Sequence, residues 1–175
     1  MQSGNTRILG LMNRKYTRER FLSLVDTIKR EIPSATFATD VMVGFPSETE
    51  EEYQDTITAL DEMGCIEAFM YYFNPREGTA AVTFPGEVSE EVRGKRLSDL
   101  IDFQHAIFVR EKTKRSQGIV KVVVSSVSRN DKNQMLGRTE HNEMVVFDGS
   151  PSVGSIVTVR LTALKGNTYT GTLIE

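Results

Sequence analysis

The apolar pattern of this chain changes period once, near Gln117-Gly118, and that change limits the folds open to it. Upstream, helical and strand spacings alternate; downstream, every apolar run has period two. Alternation of helix and strand points to parallel strands joined by right-handed crossovers. A series of short period-two runs points to a small all-β barrel. We therefore expect two domains, residues 1–113 and 114–175, with the boundary between residues 112 and 118.

In the first part, Phe21, Leu24, Val25, Ile28 and Ile32 keep helical spacing after Thr17, and Pro33 stops them. Thr36 to Val43 reads as a strand, and Thr49-Glu50-Glu51-Glu52 as a capping box for a helix running to Gly64. Ile66 to Phe73 is a second strand, ended by Asn74-Pro75. Ser89 caps a long helix whose apolar positions are Val92, Leu97, Leu100, Ile101, Ile107 and Phe108. A strand end is expected before Gln2. In the second part the runs IVKVVVSSV, MLGRT, MVVFDG, SIVTVRLTAL and TYTGTLI are separated by turn residues. Five such strands suggest an antiparallel barrel close to the OB type.

Gly44-Phe45-Pro46-Ser47-Glu48-Thr49 lies where a strand feeds a helix, at the carboxyl end of a parallel sheet, which is where such folds hold ligands. Gly44 permits close approach to the backbone, Pro46 fixes the turn, and Glu48 either orients a polar ligand or holds the turn. The segment reads equally as an ordinary βα loop with an acidic helix start. Arg76, after the next strand, offers a planar fork for a carboxylate or phosphate, or is a solvated turn residue. Gln2-Ser3-Gly4-Asn5 offers hydroxyl and amide groups to a ribose.

Cys65 is the only cysteine, so the chain has no internal disulfide and no multi-cysteine metal site. Preceding an apolar strand, it reads as a buried structural thiol. His105 and His141 make no metal or triad pattern. The chain has no apolar run long enough to span a membrane, and a cytoplasmic setting is expected. Residues 1–113 carry 13 Lys/Arg against 19 Asp/Glu, whereas 114–175 carry 8 against 5. A basic module on an acidic one hints at a polyanion partner for the tail. Its candidate phosphate contacts are Lys114, Arg115, Lys121, Arg129, Lys132, Arg138, Arg160 and Lys165; a solubilising charge scatter is the other reading. Phe147 and Tyr169 are its few aromatic residues, so shape and backbone readout would dominate over base stacking.

Four segments, QSGNTRILGLMNRKYTRE, TDVMVGFPSETEEEY, FNPREGTAA and GRTEHNEMVVFDG, stand here in the order and spacing of the radical-SAM methylthiotransferases. The chain resembles that family over essentially its whole length, and most nearly the MiaB type, which modifies transfer RNA. The resemblance implies an α/β partial (β/α) barrel, the C-terminal half of a radical-SAM barrel, followed by a TRAM domain. It implies conversion of N6-isopentenyladenosine beside the anticodon to its 2-methylthio derivative. The cofactors implied for the full-length enzyme are S-adenosylmethionine, as source of the 5′-deoxyadenosyl radical and the methyl group, and two 4Fe–4S clusters.

Carried onto this sequence, the resemblance places Gln2 and Ser3 near the ribose or methionine end of S-adenosylmethionine. Thr39, Asp40, Val43, Gly44, Phe45 and Glu48 flank the adenosyl group, and Arg76 closes the same mouth. Lys114, Arg115, Lys121, Arg129, Lys132, Arg138 and Lys165 face tRNA. Ser47 stands where many relatives have glycine, so a slightly altered turn is expected. The cluster-binding CxxxCxxC and the N-terminal cysteine domain are both missing. The expectation is a piece of a longer enzyme, inactive alone and with no cofactor bound. A half barrel leaves open strand edges near Val41 and Met70, from which edge-mediated dimerisation is expected. The alternatives are a methylthiotransferase acting on an aspartate of a ribosomal protein, and a non-enzymatic RNA-binding protein.

Overall fold

A computed structural model describes residues 1–174, which divide into two compact units, Met1–Val109 and a second that starts at Arg110. In the first unit, Asn5 caps α1 (Thr6–Leu11), its side-chain oxygen accepting from the amides of Arg7 and Ile8. Thr17 caps α2 (Arg18–Glu31) in the same way through the amide of Arg20. β1 (Ala38–Val43) leads to α3 (Glu50–Met63), and β2 (Glu67–Tyr72) to a 3-10 turn, Ala80–Thr83. The last helix, α4 (Glu90–Arg115), gives its longer part to this unit and its final turns to the next.

The capping box at Thr49 is complete, with Thr49 and Glu52 each bonding the other's backbone, and Gly64 ends α3 in the left-handed conformation. Such a cap contributes about 1 kcal/mol. β1 and β2 pair in parallel, Asp40 opposite Phe69 and Val43 opposite Tyr72. Thr39, Val41 and Val43 point into the core with Tyr53, Leu60, Met63, Cys65, Leu100 and Ile107. The other face is bare: Phe69 is 52% exposed and Tyr71 51%. The expected strand before Gln2 is not formed. Instead the carbonyl of Gln2 accepts a single bond from the amide of Met42 (2.9 Å), which covers part of the outer edge of β1. Among the described residues no strand pairs with the outer edge of β2.

In the second unit, β3 (Ile119–Val127), β4 (Gln134–Thr139), β5 (Met144–Asp148), β6 (Ile156–Lys165) and β7 (Thr168–Ile174) close a barrel in the order β3-β4-β5-β7-β6. The barrel is not wholly antiparallel as expected. β7 enters between β5 and β6, and its ladder with β5 is parallel. The core is Val122, Val124, Met135, Val145, Phe147, Val159, Leu161 and Tyr169, the inward positions of each period-two run. Phe147 and Tyr169 are therefore core residues, 1% and 0% exposed, and offer no stacking surface. Tyr169 also donates its hydroxyl to the carbonyl of Lys112 (3.0 Å), tying the final turns of α4 to the barrel wall.

Candidate functional site

The carboxyl ends of β1 and β2 open onto a cleft of about 680 Å³. Gln2, Asp40, Phe45 and Arg76 line it, with Met42, Met70, Tyr71, Tyr72 and Leu97 among its apolar walls. Met70 and Tyr72 lie on one face of β2 and Tyr71 on the other, so the cleft wraps the unpaired edge of that strand. Four of the nine residues assigned to cofactor from the sequence thus meet in one place. The ring of Phe45 is set by edge-on contacts with Phe73 (5.1 Å) and Phe84 (6.0 Å).

The other five lie elsewhere. Ser3 is fully buried, its hydroxyl 3.4 Å from that of Thr56 and accepting from the amide of Asn5. Thr39 and Val43 face the core, Thr39 beside the amino terminus. Gly44 has φ +70°, and a Cβ built there would lie 2.4 Å from Cγ of Arg93. The space opened by its missing side chain is filled by α4.

Glu48 is buried, its side chain wholly shielded from solvent. Its Oε2 accepts from the amide of Gly44 (2.6 Å) and from Nη1 of Arg96 (2.9 Å), while Oε1 has no partner. Desolvation pushes this carboxyl above its ordinary value of 4.5, opposed by the Gly44 amide and by Arg96. Of the two roles open to Glu48, the contacts present are those of holding the turn.

Arg96 also donates to the carbonyl of Glu48 (3.1 Å) and to Glu50 (3.2 Å), and its guanidinium lies 5.4 Å from the ring centre of Tyr53. Tyr53 returns a bond to the carbonyl of Arg96 (3.0 Å). Arg93 donates to the carbonyl of Phe73 (3.0 Å), at the end of the other strand. Both arginines are about 93% shielded, and neither was identified from the sequence. The signal was present: Arg93, Arg96, Leu100, Gln104 and Ile107 form one buried helical stripe. Val92 and Ile101, expected on the apolar face, are 39% and 46% exposed.

Ser47 adopts φ +64°, the conformation that glycine takes without strain. Its amide donates to Gly86 (2.6 Å), and Arg7 donates to its hydroxyl (3.0 Å) and carbonyl (2.7 Å). Arg7 is itself held by both oxygens of Glu52 at 2.6 Å.

In the barrel, Lys121 and Arg160 lie outward on the β3–β6 ladder, where Arg160 pairs with Ile119 and Lys121 with Thr158. Arg138 folds back on Asn142 (2.9 Å). Arg115 reaches buried Glu143 (3.5 Å), and Lys114 reaches Glu111 (2.9 Å). Lys165, the last residue of β6, stands at the end where β3 begins, and Arg129 and Lys132 follow β3 at the opposite end. The seven assigned cations therefore do not form one patch. No group of three His, Cys, Asp or Glu suited to a metal occurs among the described residues. Cys65 is fully buried, its thiol donating to the carbonyl of Glu67 (3.0 Å) and pushed up by burial to about 11. The sequence reading of Cys65 as a structural thiol agrees with this setting.

Residues 118–174 match the model of the TRAM domain. This part of the chain is a TRAM domain. Relatives resemble the chain well beyond the TRAM barrel. The chain is 41% identical, over all its length, to the tRNA-2-methylthio-N(6)-dimethylallyladenosine synthase of Halalkalibacterium halodurans, of which it covers 33%. It is 40% identical to the synthase of the same name from Oceanobacillus iheyensis, covering 34% of it. With that of Treponema denticola it shares 37% identity and covers 39%. The chain thus spans 33–39% of the length of these relatives, and matches their C-terminal portion, TRAM domain included. No helix among the described residues is long and apolar enough to cross a membrane.

Proposed function

We propose that this chain is the C-terminal portion of a radical-SAM tRNA methylthiotransferase, cytoplasmic, acting on N6-isopentenyladenosine next to the anticodon. Residues 1–113 are then the second half of the (β/α) barrel and residues 114–175 the RNA-holding domain. The observation that carries this reading is end-to-end similarity to named tRNA-2-methylthio-N(6)-dimethylallyladenosine synthases, joined to a strand-end cleft of nucleoside size.

The cleft fits S-adenosylmethionine in chemistry as well as volume. Asp40 offers acceptors to ribose hydroxyls or an ammonium, Arg76 a fork for a carboxylate, Gln2 an amide, and Phe45 an apolar ring edge. When bound, the cofactor supplies the radical and the methyl group; this chain binds, orients and shields it. The residues present do not fit an iron–sulfur cluster, because Cys65 is the sole cysteine and it is buried. Both clusters belong, in this reading, to parts of the enzyme beyond these residues, and these residues alone carry no activity.

The RNA side rests on the TRAM match and on the exposed cations Lys121, Arg129, Lys132, Arg138 and Lys165, whose attraction to phosphate needs no aromatic platform. The bare outer edge of β2 and the exposed Phe69 and Tyr71 lead us to propose that isolated chains self-associate there. A mobility-shift titration tests the RNA reading. Anticodon-arm RNA should bind more tightly than an unrelated hairpin of equal length, with affinity falling as salt rises. Equal affinity for all RNAs would favour a generic RNA binder.

A further inference from the structure

We propose that Arg96 is a positioning residue for the nucleoside: paired with Glu48, it fixes the Gly44–Glu48 turn and so presents Phe45 to the cleft. This rests on the reading that the cleft takes S-adenosylmethionine, and it adds a helix to a site the sequence confined to strand-end loops.

The turn between β1 and α3 does not hold itself. Gly44 and Ser47 both have left-handed φ, at +70° and +64°, so the backbone between β1 and α3 lies in conformations that need outside support. That support converges on one carboxylate. Glu48 Oε2 takes the Gly44 amide at 2.6 Å and so closes the turn upon itself. A carboxylate with no solvent contact and one unpartnered oxygen keeps its charge only if a cation stands against it. Arg96 is that cation, 2.9 Å from Oε2, and the same Nη1 reaches the Glu48 carbonyl at 3.1 Å. Nη1 of Arg96 thus grips side chain and backbone of Glu48 while Nε and Nη2 hold Glu50 (3.3 and 3.2 Å), a two-sided fork that a single ammonium cannot reproduce.

The arginine is fixed in turn. Its other edge meets Glu50, its plane lies against Tyr53, and the Tyr53 hydroxyl bonds its carbonyl. One turn earlier on α4, Arg93 occupies the space where Gly44 lacks a side chain and bonds the carbonyl of Phe73. Phe73 packs edge-on against Phe45, so α4 reaches the cleft wall from both strand ends. Binding depends steeply on such placement, because an ångström of displacement in a positioning group has large consequences for a reacting ligand.

Two measurements test the proposal. In this chain without ligand, Arg96→Met should speed amide hydrogen exchange at Gly44 and Phe45 at least tenfold more than at Val41 and Leu60, whose core amides report only the overall loss of stability. Uniform acceleration, or none, would overturn it. In the full-length enzyme carrying its clusters, Arg96→Met should raise KM for S-adenosylmethionine at least tenfold with kcat within threefold. Leu60→Ala, which loosens the core of the same unit away from the turn, should leave KM unchanged. Equal KM shifts in both variants would assign Arg96 a merely structural role. Should Arg96→Met not fold, Arg96→Lys, with charge kept and fork lost, should give about a threefold rise in KM; no rise would overturn the proposal. Failure of unaltered full-length enzyme to bind S-adenosylhomocysteine in calorimetry would instead remove the cofactor reading and this proposal with it, whatever the exchange rates.

Discussion

Glu48 and Arg96, 48 residues apart in sequence, meet at 2.9 Å with the carboxylate fully enclosed. Removing one member of such a pair costs about 3–5 kcal/mol, because the other is left charged and buried. The pair joins α4 to the turn after β1, and the remaining features of the candidate site are arranged around that turn.

Ser47 holds a left-handed conformation next to this pair, and its hydroxyl interaction with Arg7 is at the surface. Ser47→Gly should therefore stabilise the α/β unit by about 0.5–1 kcal/mol, strain relief outweighing the lost exposed bond and the added chain entropy. Urea denaturation of the two proteins measures this. A loss of stability would mean that the Arg7 contact matters more than the strain.

Gly137 in β4 is required by packing. A Cβ there would stand 2.3 Å from Cγ1 of Val122 and 2.6 Å from the carbonyl of Val123. Gly137→Ala should destabilise the barrel by about 1–3 kcal/mol through overpacking. The near-ultraviolet signal of Tyr169 should report an earlier transition, with the amide exchange of Val41 in the other unit unchanged.

Tyr53 and Tyr169 are both pushed by burial from the ordinary 10.0 to about 12. A raised value means that the folded state holds the proton more tightly than the unfolded chain. The stability each contributes is complete below pH 10 and is lost as pH rises from 10 toward 12, roughly 3 kcal/mol apiece. Absorbance at 295 nm should show two tyrosines ionising only as circular dichroism reports unfolding. Tyr169→Phe should remove the late step assigned to the barrel, at the cost of the bond to Lys112.

The open edge of β2 carries its own prediction. Sedimentation velocity should show the chain passing from monomer to dimer as concentration rises, and Phe69→Lys with Tyr71→Lys should shift that transition to higher concentration. Charge on an exposed strand discourages edge pairing. A monomer at every concentration would contradict the proposed self-association.

Local signals carried much of the architecture into the sequence. Thr17, Thr49 and Gly64 each mark a helix end through chemistry confined to a few residues, and the period-two runs located all five barrel strands. α1 was missed because its six residues are too few to show a period, although Asn5 was a legible cap. The β5–β7 parallel ladder depends on which strands become neighbours, and strand patterns carry no such information. The site divides the same way. Phe45 and Arg76 follow from their places beyond strand ends and Asp40 from the family resemblance, whereas Arg93 and Arg96 look like solvated helix charges until tertiary packing buries them.

The claim on which the account depends is that the mouth formed by Gln2, Asp40, Phe45 and Arg76 holds a nucleoside. Nuclear magnetic resonance titration of this chain with S-adenosylhomocysteine tests it directly. Saturable amide shifts at Met42 to Phe45 and at Asn74 to Arg76, with the barrel amides still, are the predicted result. Absence of saturable shifts, or shifts confined to the barrel, would contradict it.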